Sequence, residues 1–288
     1  MNGNNCSQPL TICRPRFVEL FGYERVSHCR PFIQLFVKLR EVKIMIRAFA
    51  ATALFVVSLS IPFAVRAQVA DRAQVAQEIE SLRGQIRSKE KLLLAPARED
   101  EAAFAEFLRQ PETGLVRLLP REQWDYKLSI RGGGAYYSFT RRAHEYGYGS
   151  DIELQQGNLS SGFAGLDYGL LVDLGDVPLE RVSLATPGVR VLSEHVPPSA
   201  EAEIRAQQRR AGTGETIEGL TYKSHLPAKV NHTYTLRSVQ YHGEKGAGRD
   251  AIVAFRVVGR DADGSVILLW KMLKQYSAPK HRRDEPGR

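Results

Sequence analysis

Two runs near the C-terminus, Ala251–Arg260 (AIVAFRVVGR) and Ser265–Gln275 (SVILLWKMLKQ), limit the possible folds more than any other stretch of this chain. Strand side chains alternate between faces, and in Ile252–Val258 and Val266–Leu273 both alternating sets are largely apolar. Such strands must lie inside a sheet that is covered on both sides. The intervening Asp261-Ala262-Asp263-Gly264 has the Asp-Gly chemistry of a hairpin loop, so the pair is antiparallel. Thr233–Tyr241 (TYTLRSVQY) supplies a third long run of strand-forming residues.

The residues upstream have to provide that cover. From Pro120 on, the hydrophobic period is two. Trp124–Ile130 (WDYKLSI) alternates cleanly, Arg131-Gly132-Gly133-Gly134 reads as a turn, and Ala135–Arg141 reads as the returning strand. Asp151–Gln155, Asn158–Ala164, Tyr168–Leu174, Leu179–Leu184 and Val189–Leu192 are further short strands, most of them flanked by Gly or Pro. Ser199–Arg210 is helical in composition, with Ser199 at the N-cap. Its one large apolar residue, Ile204, marks it as an exposed excursion. Short strands joined by tight turns predict an α+β fold, mainly antiparallel β: N-terminal helices followed by a twisted antiparallel sheet or sandwich-like domain.

Ahead of the strands, residues 70–94 carry Val75, Ile79, Leu82, Ile86 and Leu93 at spacings of four, three, four and seven. That is a narrow helical stripe, interrupted at Lys89. A helix lying on the domain is the plainer reading, and a homodimer through residues 70–94 is the sharper one. Pro96 ends this helix, and Ala97 opens a second with Phe104, Phe107 and Leu108 on one face. Leu115–Leu119 reads as a short apolar link.

Further back, Met45–Gln68 (MIRAFAATALFVVSLSIPFAVRAQ) holds Arg47 and then eighteen residues, Ala48–Val65, without a charge. Pro62 breaks the run near its end, and Val65 and Ala67 put small side chains at the two positions a signal peptidase reads, in the order of a secretory signal cleaved between Ala67 and Gln68. The alternative is an uncleaved signal anchor at the short end of a membrane span. Both place the C-terminal domain outside the cytoplasm, periplasmic or secreted, with membrane contact only through the N-terminal segment. All three cysteines (Cys6, Cys13, Cys29) precede Met45, so the mature domain is cysteine-free, as suits a bacterial periplasm. The net charge of +8 also belongs mostly to the N-terminus. Seven of the 40 basic residues precede Met45 and two more are Arg47 and Arg66, while only three of the 32 acids precede Met45. After Ala67, 31 basic residues face 29 acidic ones, which gives no electrostatic reason to bind nucleic acid. The domain organisation read this way is 1–44 a non-native or disordered extension, 45–67 the signal, 68–110 a helical arm, 111–278 the mainly β domain, and 279–288 a disordered tail.

Familiar chemical motifs are absent. Gly132-Gly133-Gly134 lacks the Lys-Ser/Thr of a phosphate loop, Asp261-Ala262-Asp263-Gly264 lacks the distal Glu of a calcium loop, and Gly157–Gly162 has the wrong spacing for a nucleophile elbow. No His pair has metal-ligand spacing, so neither metal nor cofactor is expected. The most unusual composition lies in Gly132–Asp151, where Tyr and Arg crowd among glycines. Its candidate binding residues are Tyr137, Arg141, His144 and Tyr148, with a protein, a polymer or a small molecule as partner. The expected function is a non-catalytic binding or envelope-associated module. A hydrolase-type site around Arg141, His144, Glu145 and Asp151 is the alternative. Mass spectrometry of the native protein should find an N-terminus at or near Gln68. Peptides from Met1–Ile44 as abundant as those from Asp71 onward would contradict the signal.

Overall fold

The computed structural model describes residues 71–241 and 248–281; the extension, the signal segment with its Ala67–Gln68 junction and most of the tail lie outside the described residues. Helix α1 covers 71–94, and α2 (Arg98–Ala103) and α3 (Ala105–Leu108) follow Pro96. Next come β1 (Thr113–Leu118), α4 (Arg121–Trp124), β2 (Tyr136–Tyr137), β3 (Ile152–Gln155), β4 (Asn158–Ser160) and β5 (Tyr168–Asp173). A single 3-10 turn at Leu179–Arg181 precedes α5 (Val189–Glu194) and α6 (Glu201–Thr213). Three short strands, β6 (Glu215–Ile217), β7 (Leu220–Lys223) and β8 (His225–Pro227), lead to the long β9 (Thr233–Gln240), β10 (Arg249–Arg260) and β11 (Val266–Tyr276).

The strands form two antiparallel sheets, and the fold is α+β. The larger has seven strands in the order β1-β11-β10-β9-β5-β7-β6, and the smaller has four in the order β2-β3-β4-β8. Alternation divides the large sheet's side chains between two cores. Tyr234 and Leu236 of β9, Val253, Phe255 and Val257 of β10, and Leu268 and Trp270 of β11 pack with Phe139, Ile152, Leu154 and Leu159 of the small-sheet layer. The opposite parities, among them Val239, Ile252, Ala254 and Leu269, pack with Leu192 of α5 and Ile204 of α6. The sheet is thus the middle layer of three. Phe255 is the centre of an aromatic stack, its ring 5.5 Å from Tyr234 and 5.9 Å from Phe139, both nearly parallel to it.

Several sequence expectations are corrected. Trp124–Ile130 is not a strand. Pro120 starts the helical turn α4, and the backbone bonds locally, Asp125 N to Arg121 O and Lys127 N to Trp124 O, each at 3.0 Å. Its alternation is no sign of burial, since Tyr126 is 98 % exposed. Leu179–Leu184 and Val189–Leu192 are helical turns, because Leu179 with Val182 and Val189 with Leu192 sit three residues apart and bury on one side. Leu115–Leu119 is mostly strand β1, which pairs with β11 and closes that side of the sheet. Helix α6 is no exposed excursion: Ile204, Gln207 and Ala211, at offsets of three and four, are all buried against the sheet layer.

The hairpin β10–β11 lies in the buried interior as its composition demands, with Phe255 and Trp270 almost wholly inaccessible. Truncating Phe255 to Ala should remove about 3–5 kcal/mol from the unfolding free energy in a denaturant titration, the range for a buried Phe. A loss below about 1 kcal/mol would contradict the middle-layer position.

Candidate functional site

The segment Gly132–Asp151 is built around a carboxylate that never reaches water. Asp151 Oδ2 accepts from Phe139 N at 2.8 Å and from Ser138 Oγ at 3.3 Å. Its Oδ1 accepts from Ser238 Oγ at 2.8 Å and Gln240 Nε2 at 3.2 Å, both on β9. Both oxygens act only as acceptors, the pattern of an ionised group. Burial pushes the Asp151 pKa upward, against the opposing pull of Arg249 and these donors. Arg249 completes the network. It donates to Gly149 O at 2.6 Å, Ser138 Oγ at 3.0 Å, Gln240 Oε1 at 3.0 Å and Thr140 Oγ1.

The other end of the segment borders a cavity of about 510 Å³, a volume within the range of small-ligand sites. Three successive glycines deliver the chain to it. Gly132, Gly133 and Gly134 all have positive φ, which glycine adopts without strain. A Cβ on Gly133 would lie 2.3 Å from the Trp124 carbonyl carbon, and one on Gly132 would strike the rings of Tyr136 and Tyr146. Tyr136, on β2, faces Glu153 across the β2–β3 pair. The Glu153 side chain is 4 % exposed and accepts from Arg121 Nη1 at 3.0 Å, while Arg121 Nε reaches Asp125 at 3.3 Å. Burial, and then the bond to Glu153, hold the Tyr136 phenol far above its ordinary pKa. Tyr146 and Phe163 meet the Tyr136 ring edge-on at 4.8 and 5.3 Å, giving the cavity an aromatic wall.

Two further groups complete the lining. The Arg131 guanidinium lies over the face of Tyr146, 4.3 Å from its centroid. Among the described residues it has no carboxylate partner. Tyr148 is about half exposed and lines the same space. The aromatic wall therefore carries one exposed cation without a counter-charge, beside another, Arg121, that is already neutralised.

Of the four residues singled out from the sequence, only Tyr148 borders this cavity. Tyr137 is buried between the sheets, its ring against Phe139, Trp270 and His144. It points the other way from Tyr136 because neighbours on a strand face opposite sides. Arg141 pairs with Glu145. His144 donates from Nδ1 to the Tyr136 carbonyl at 3.1 Å, and burial lowers its pKa to about 4, so it is neutral near neutral pH. The set Arg141, His144, Glu145 and Asp151 does not converge on an open site, since both Asp151 oxygens are occupied between the sheets. Arg121, Arg131, Glu153 and Phe163 escaped the sequence reading, for nothing local marks a partner fifteen or more positions away.

No family model, curated protein or solved structure matches the chain. Among the described residues no three His, Cys, Asp or Glu side chains are grouped as metal ligands would be, and no helix is long and apolar enough to cross a membrane.

Proposed function

We propose that this protein is an exported, non-catalytic binding module whose cavity takes a small anionic ligand with a flat face, a carboxylated sugar ring. The observation that carries this reading is Arg131, an exposed guanidinium stacked on Tyr146 at the cavity and without a carboxylate partner among the described residues. A guanidinium in a fixed plane recognises a carboxylate through two parallel hydrogen bonds. The rings of Tyr146, Tyr148 and Phe163 offer flat apolar surface beside it. Arg121 does not compete for the ligand's charge, because Glu153 and Asp125 already engage it.

The absence of turnover from this reading rests on the same contacts. Acid–base chemistry needs a carboxyl group free to exchange a proton with substrate. Glu153 is committed to Arg121 and Tyr136, and Asp151 to the interlayer network. Export rests on the ordered signal of Met45–Ala67.

Thermal unfolding in the presence of glucuronate, with glucose as the neutral control, tests the assignment. Glucuronate should raise the melting temperature, corresponding to about 2.7 kcal/mol at a concentration of ~100 times Kd. Glucose should leave it unchanged. Arg131→Gln should lose the glucuronate response and keep the unliganded melting temperature. Equal responses to the two sugars, or retention by Arg131→Gln, would overturn the ligand class. Chemical conversion of glucuronate during the measurement would overturn the non-catalytic reading.

A further inference from the structure

Helix α1 stands away from the rest of the fold over most of its length. Residues 71–89 are exposed apart from the half-buried Gly84. Only the last turn docks, where Glu90 accepts from the Ser129 hydroxyl at 2.5 Å and from its backbone N–H, and Arg117 Nη1 donates to Leu93 O at 2.6 Å. A projecting helix gains nothing from tertiary packing, and Gly84 weakens its interior, so a surface to pack on would stabilise it. It presents Val75, Ile79, Leu82 and Ile86 in one line, each 43–51 % exposed.

We propose that α1 pairs with α1 of a second copy of this chain as a parallel, in-register two-stranded coiled coil. The stripe has heptad spacing, with Ile79 and Ile86 at the a positions and Val75 and Leu82 at d. Within parallel coiled coils, Ile at a with Leu at d favours two strands over three or four. Charge chooses the parallel alignment. In this register Glu78 occupies g and Arg83 the following e, the two positions that meet across the seam of a parallel dimer. Symmetry forms the Glu78–Arg83 contact twice, once on each side. In the single chain Arg83 pairs with Glu80 of its own helix at 2.5 Å, but both side chains are 62 % exposed, so the guanidinium is free to exchange partners. Lys89 takes the next d position and ends the seam where the helix docks on the domain.

Sedimentation of the protein as its producing cell processes it tests the pairing. The wild type should pass from monomer to dimer as concentration rises. The Ile79→Asp/Leu82→Asp variant should stay monomeric at every concentration, and these exposed positions leave the core intact. Glu78→Arg should dimerise at least about tenfold more weakly, because both contacts become repulsive. Adding Arg83→Glu to it should restore the wild-type affinity. In a chain carrying C6S, C13S and C29S, Ile79→Cys should form an interchain disulfide on oxidation, since in-register a positions face each other. A wild type that is monomeric throughout would overturn the proposal. So would association that survives Ile79→Asp/Leu82→Asp, failure of the second charge reversal to rescue the first, or binding of the stripe to phosphatidylglycerol vesicles without self-association.

Discussion

The dipeptide Arg249-Asp250 at the start of β10 holds the three layers together. Adjacent residues on a strand face opposite sides, so the cation enters one interlayer and the anion the other. Arg249 turns toward the small sheet and joins Asp151, Ser138 and Gln240. Asp250 turns toward the helices and accepts both guanidinium arms of Arg237, at 2.9 and 2.8 Å. Arg237 in turn donates to the Leu192 and His195 carbonyls at the end of α5, each at 2.5 Å. Asp151, Arg237 and Asp250 are nearly inaccessible and would be costly if left unpaired, and each has its partners here, while Arg249 is half-buried. Because the bonds are directional, they fix where each cover sits, which apolar contact alone does not.

The site depends on the first of these clamps. Asp151 and Arg249 hold Ser138, Phe139 and Gly149 against β9 and β10, so both ends of the 138–151 excursion are tied down. Tyr146 and Tyr148 lie inside that loop, and their positions at the cavity follow from it. On the opposite face His195, whose pKa is lowered to about 4 chiefly by burial, takes the Tyr168 hydroxyl at 2.7 Å on its Nε2. That neutral pair caps the Arg237–Asp250 bridge without adding a charge to it.

What the sequence made legible follows from how many structural levels agree at a given stretch. In β10 and β11, propensity, two-faced apolarity and the Asp-Gly turn all point to one answer, and the strands lie where they indicate. At Trp124–Ile130 the alternation was genuine, but Pro120 and the glycines after Arg131 decided the backbone. Val189 and Leu192, three apart, share a face only in a helix, but in so short a run that spacing is readable only once both are buried on the sheet. The Tyr- and Arg-rich segment was visible as an oddity of composition. Its parity was not: the choice between Tyr136 and Tyr137 for the cavity depends on a pairing with β3 that the segment itself does not encode. Arg121, Glu153 and Phe163 reach the cavity from separate elements, and only the assembled layers bring them together.

The dependence of the fold on this clamp is tested most directly by the unfolding free energy of Asp151→Ala. The substitution strips four donors of their acceptor and leaves Arg249 without its buried counter-charge. The account predicts a loss on the order of 3–5 kcal/mol, the range for breaking a buried charge network by removing one partner. A loss below about 1 kcal/mol, the scale of an ordinary surface change, would mean that the layers are held by apolar packing alone, and would contradict it.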